Sequence, residues 1–161
     1  MATDFVLKID GINGESSRKG YEKQIDVYSW SWGMDQTGSF HIGSGGAAGK
    51  VTIQDLEVTK YVDVSTPDLM VNCAKGQHIK SVTLSCLKAG GNESLPYIVI
   101  KLTDVIVTSV QPVGQPGAER IMERVRLNFA KCELTYTQQS ATGGTEAAPK
   151  FGWDIQKNIA A

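Results

Sequence analysis

The sequence predicts a mainly β domain: a closed β-barrel, or two packed antiparallel sheets, with one short flanking α-helix. Three observations carry the prediction. Apolar and polar residues alternate with period two in run after run, which is strand patterning. The runs are bounded by turn-forming clusters rich in Gly, Asn, Ser and Pro, giving about eight strands and no internal repeat. Only one stretch carries helix start and stop signals together. An all-β chain of this kind avoids exposed strand edges by closing its sheets.

Phe5, Leu7 and Ile9 alternate with Asp4, Val6 and Lys8 and make the first strand. Residues 11–20 are polar and turn-rich. Residues 24–33 make the second strand, in which Tyr28, Trp30 and Trp32 share one parity and Val27, Ser29 and Ser31 the other. The aromatics are expected to cover a core. The serines are expected to form a small, polar, uncharged wall, which suits a lumen better than a core. Residues 35–50 then form a glycine-rich stretch of a length that is uncommon in compact domains unless it is functional or disordered. Residues 50–61 read as a third strand with a change of phase. Val51 and Ile53 share one parity, Leu56 and Val58 the other, which indicates a β-bulge or a passage between sheets.

Ser65, Thr66, Pro67 and Asp68 form the helix start: a hydroxyl cap, an early proline and an early acid. Leu69, Met70, Cys73 and Ala74 fall on one stripe, and Lys75 and Gly76 end it. So short a helix must pack on the sheet. Residues 79–88 form a strand with Val82, Leu84 and Cys86 inward. Residues 97–110 are apolar on both parities, as expected of a strand buried on both faces, the second covered by a neighbouring subunit. Residues 119–136 change phase at Ala130 and Lys131, between the odd set Val125, Leu127, Phe129 and the even set Cys132, Leu134, Tyr136. Residues 138–149 read as a low-complexity loop, and residues 151–158 as the last strand.

The 161 residues are expected to form one domain, 1–161, large enough to fold without staples. Sixteen basic and 17 acidic residues give a net charge of −1, which argues against non-specific nucleic-acid binding and leaves self-association unopposed. The start of the chain has no basic n-region and no apolar run, and no window approaches a membrane span. The expectation is a protein made in the cytoplasm, with no membrane insertion, that does not use the general secretory route. With eight residues after Trp153, no appended domain is expected.

Chemistry is sparse, and no enzyme is expected. Cys73, Cys86 and Cys132 are widely spaced and read as small buried hydrophobes. His41 and His78 have no carboxylate at triad or metal spacing. The segment from Gly43 to Lys50 lacks the Gly-Lys-Ser/Thr ending and precedes a strand, so it is not a phosphate loop. No metal, cofactor or catalytic constellation is expected. In the charge run from Glu119 to Arg126, Arg120, Arg124 and Arg126 share one strand face and Glu119 and Glu123 the other. That is either a solvated face or a contact between subunits, with Glu57 and Asp55 as possible arginine partners.

Several segments, in order along the chain, carry a resemblance: Tyr28-Ser29-Trp30-Ser31-Trp32-Gly33-Met34; the glycine-rich loop; Gln54-Asp55-Leu56; Thr59-Lys60-Tyr61-Val62-Asp63; Ser65-Thr66-Pro67-Asp68-Leu69-Met70; and Phe151-Gly152-Trp153-Asp154-Ile155-Gln156-Lys157-Asn158. Together they resemble the Hcp family, the haemolysin-coregulated, tube-forming proteins of bacterial type VI secretion systems. The resemblance implies a barrel with one flanking helix, akin to phage tail-tube proteins, and homohexameric rings that stack head-to-tail into a tube. It implies a contractile sheath that expels the tube behind a VgrG spike, and small effectors held in the lumen. The protein would be cytoplasmic when assembled and then secreted. Ser31 and its neighbour Ser29 look like lumen-facing effector contacts. The loop residues Phe40, His41, Ile42, Gly43, Gly45 and Gly46 suit ring stacking. The readings set against this one are a phage-like tail-tube protein and a soluble β-sandwich that binds ligand on exposed Trp30 and Trp32.

Overall fold

The structure is a computed structural model that describes residues 3–38, 49–88, 95–138 and 148–161. It is mainly β with one short helix. Every ladder among the described residues is antiparallel. The strands are β1 (Thr3–Ile9), β2 (Ile25–Val27), β3 (Ser29–Ser31), β4 (Met34–Asp35), β5 (Thr52–Ile53) and β6 (Leu56–Tyr61), then, after helix α1 (Thr66–Lys75), β7 (Ile79–Lys88), β8 (Pro96–Val113), β9 (Met122–Tyr136), β10 (Lys150–Asp154) and β11 (Ile159–Ala160). The main ladder runs β2-β1-β7-β8-β9-β6-β3, and β10 and β11 extend it from the far end of β9. Its two ends, β2 and β3, are consecutive in the chain and joined through Tyr28. The sheet therefore wraps round one apolar core, to which Leu7, Ile25, Leu56, Val58, Leu84, Leu102, Val125 and Leu127 contribute.

The second strand differs from its sequence pattern. It breaks at Tyr28, where the chain leaves the edge of β1 and joins β6, and the break changes the phase. Val27 is buried with Ile25, whereas Tyr28 is 64% exposed. Trp30 and Trp32 do pack against the core, Trp30 edge-on to Phe5 and Trp32 edge-on to Phe129. Two aromatics, not three, thus cover the core, and Val27 does not share the serine face. The third strand splits where its phase change falls, into β5 and β6. The last strand is a hairpin, β10 and β11, because the chain reverses over residues 155–158, with Asn158 at φ 55°.

The three longest strands share one crease. Buried residues shift parity between Ile79 and Val82 in β7, between Leu102 and Val105 in β8, and between Phe129 and Cys132 in β9. The ladders keep their register through this row, with Ile79 opposite Val105 and Val105 opposite Phe129. At its centre Asp104 takes φ 55°, a left-handed turn that rotates the following side chains to the opposite face. The switch accounts for the buried residues on both parities, Ile100 and Leu102 before it and Val105 and Val107 after it, while Val99 and Ile106 stay half-buried on the other face. A β-bulge at Thr108, between Val107 and Ser109, bends the same strand again.

Helix α1 begins at Thr66, with Pro67 in its first turn, and ends on Gly76 in the left-handed conformation. The Gly76 N–H donates to the Asn72 and Cys73 carbonyls. The expected stripe is narrower than its sequence suggests. Leu69 is buried and Cys73 half-buried, while Met70 and Ala74 face outward. The helix lies against β8. Burial of Leu69 alone contributes about 1.5–3 kcal/mol.

Candidate functional site

Cross-strand register assembles the site. Residues directly opposite in a ladder share a face. Ser31 on β3 lies opposite Glu57 on β6, Glu57 opposite Arg126 on β9, and Arg126 opposite Ser109 on β8. The adjacent row is Ser29, Thr59, Arg124 and Gln111. Between the rows Trp30, Val58 and Val125 point to the core. Four strands thus present one continuous polar face, with both sequence-predicted serines on it and both exposed.

Hydrogen bonds order this face. Arg126 Nε donates to Glu57 Oε2 at 3.0 Å. Asp55 accepts from Asn128 Nδ2 at 2.8 Å and from Thr108 Oγ1 at 2.9 Å, so it braces the bulge of β8 against β9. Gln54 Nε2 donates to Asp35 at 3.0 Å, and Trp32 Nε1 donates to the Gln54 carbonyl at 3.0 Å. Ser31, Ile53, Gln54, Asp55, Glu57 and Arg126 line an open depression of about 430 Å³. Of the two carboxylates named as arginine partners, Glu57 pairs with Arg126, and Asp55 meets neutral donors instead.

The charge run divides between two environments. Glu119 and Arg120 precede β9, where the Arg120 guanidinium sits 3.8 Å from the centre of the Tyr61 ring. Arg124 and Arg126 are exposed, but Glu123 is 1% exposed and belongs to the interior. There the Lys60 ammonium donates to Glu123 Oε1, to Asp63 Oδ1 at 2.9 Å and to the Tyr61 carbonyl at 3.0 Å. Thr66 Oγ1 donates to the same Glu123 oxygen at 2.7 Å, and the Ser65 N–H donates to Asp63 at 2.9 Å. The helix start is therefore not capped by the Ser65 hydroxyl as the sequence suggested. Ser65 has no side-chain bond into α1; its hydroxyl donates to Asp63. The cluster fastens α1 to β6 and β9 and places two carboxylates at the positive end of the helix. Its signal was present in the sequence: Lys60 shares parity with Leu56 and Val58, and Glu123 with Val125 and Leu127.

No group of described residues gathers the carboxylates, thiols and imidazoles a metal ion needs. Cys86 and Cys132 are buried and Cys73 half-buried. Burial pushes the Cys86 thiol up to about 11, against a smaller lowering by Trp30, and raises the Cys132 thiol, against a smaller lowering by the Trp153 carbonyl. No described helix is long and apolar enough to cross a membrane. The loop residues Phe40, His41, Ile42, Gly43, Gly45 and Gly46 lie outside the described residues.

A mainly β chain wrapped round one core, with one helix, is an architecture shared with known proteins. Residues 6–136 match the family model described as type VI secretion system effector, Hcp. The chain is 46% identical to protein hcp1 of Pseudomonas aeruginosa, with all of both chains covered. A solved type six secretion system protein superimposes with a TM-score of 0.93 at 26% identity, over 99% of this chain and 100% of that one. Hcp1 from Salmonella typhimurium gives 0.81 at 35% identity, with both chains fully covered. The chain belongs to the Hcp family of type VI secretion proteins.

Proposed function

We propose that this chain is a subunit of the type VI inner tube, forming homohexameric rings that stack head-to-tail and hold small effectors against the Ser29 and Ser31 face. A sheath would expel the stack behind a VgrG spike. The carrying observation is the continuous polar face across β3, β6, β9 and β8, which includes both serines and an arginine held by a neighbouring carboxylate. Such a face suits a lumen wall, which must hold cargo reversibly. Head-to-tail contacts propagate without closing, which a stacked tube requires. The near-zero net charge does not oppose it.

The ligand-binding sandwich loses support. Trp30 and Trp32 pack against the core, so they do not form an exposed aromatic platform. The test is Ser31→Gln, co-expressed with candidate small effectors. The ring should persist while effector co-purification falls severalfold. Unchanged co-purification would remove Ser31 from the cargo face.

A further inference from the structure

The polar face is not evenly neutral, and its charges are arranged for one kind of cargo. Arg126 spends only Nε on Glu57; among the described residues its two Nη groups meet no hydrogen-bond or ion-pair partner. Arg124, two residues away in the next row, is exposed and likewise unpaired among them. Of the acids nearby, Glu57 is paired with Arg126, and Asp55 keeps its charge on the neutral donors of Asn128 and Thr108, on the side of the Arg126 row away from Arg124. The face therefore offers guanidinium donors and no unengaged carboxylate in these rows. Glu57 also fixes the Arg126 plane, which lowers the entropy lost when its outer edge takes a second carboxylate.

We infer that Arg126 and Arg124 are the cargo-selecting residues of this face, and that they take an acidic segment of the effector through carboxylate–guanidinium pairing. Ser31 and Ser29, beside them, supply short hydroxyls that leave room for that segment. The inference rests on the reading of this face as the cargo wall, and it fixes the chemistry of what the wall prefers. Arginine suits the role because its fork meets a carboxylate with two parallel hydrogen bonds, which a lysine point charge cannot do.

The probe is a fluorescein-labelled peptide of alternating Asp and Ser, with Gly–Ser and Lys–Ser peptides for comparison. Anisotropy is measured on the full chain at low salt, and particle mass is measured on the same samples. The wild type should bind the acidic peptide and neither of the others. Arg126→Gln should weaken binding about tenfold, Arg126→Lys should recover part of it, and Arg124→Gln combined with Arg126→Gln should abolish it. Lys19→Gln removes an exposed cation elsewhere in the chain and should change nothing, which separates the site from bulk charge. Equal binding by the folded double arginine variant would overturn the inference, as would equal wild-type affinity for the Gly–Ser peptide. Six-subunit particles that ignore the acidic peptide would sink the inference and leave the tube reading standing. Arginine-dependent binding by a monomer would uphold the site and sink the tube reading.

Discussion

Lys60 has three ammonium donors, and all three are used, on Glu123, Asp63 and the Tyr61 carbonyl. The side chain is fully buried, and these three acceptors stand where water otherwise would. Removing Lys60 leaves the Glu123 and Asp63 carboxylates without their cation. Lys60→Ala should cost about 3–5 kcal/mol in urea denaturation. Lys60→Met combined with Glu123→Leu should cost clearly less than the sum of the two single changes, because neither charge is stranded. Strict additivity would mean that the pair is not coupled. The cysteines provide a second residue-scale test. Cys86, with its thiol pushed up to about 11 and its side chain sealed in the core, should resist alkylation at neutral pH until the chain unfolds. Half-buried Cys73 should react first, and mass spectrometry of partly labelled protein reads the order. Rapid labelling of Cys86 in folded protein would contradict its place in the core.

The crease across β7, β8 and β9 depends on a conformation that side chains with a Cβ adopt reluctantly. Asp104 holds φ 55°. Asp104→Val should destabilise the fold by about 1–3 kcal/mol, since a β-branched residue tolerates the left-handed region worst. Asp104→Gly should be neutral or mildly stabilising, and equal losses for both would mean that the backbone angle is not the constraint. Much of the element map was legible in the sequence. The bounds of β7, the phase change of β9 at Ala130 and Lys131, the split between β5 and β6, and the helix from its proline to its glycine all follow from periodicity and punctuation. What was not legible has a common cause. Asp104 carries no glycine signal, so the left-handed turn that moves the core from Leu102 to Val105 was invisible. At Tyr28 the alternation is unbroken, so nothing in the sequence marks the point where the chain changes ladder partner.

For the whole molecule, the sequence indicated half of the candidate site. Ser29 and Ser31 stood out as a small polar wall, but their neighbours Glu57, Thr59, Arg124 and Arg126 come from strands far along the chain. Which of them lies beside Ser31 depends on register, which alternation leaves free by steps of two residues. Glu57 was named as an arginine partner, and only the ladder selects Arg126 from the three arginines of the charge run. The family was legible in full, because its motifs recur in order from Tyr28 to Asn158. The central claim is that this polar face lines a ring. A fold with a wrapped core and a separate ordered polar face can stand alone, so assembly itself must be measured. The most direct measurement is the native mass of the purified protein, by light scattering after size exclusion. A mass near six subunits is the predicted result. A stable monomer at micromolar concentration would contradict the ring and reduce the polar face to an ordinary solvated surface.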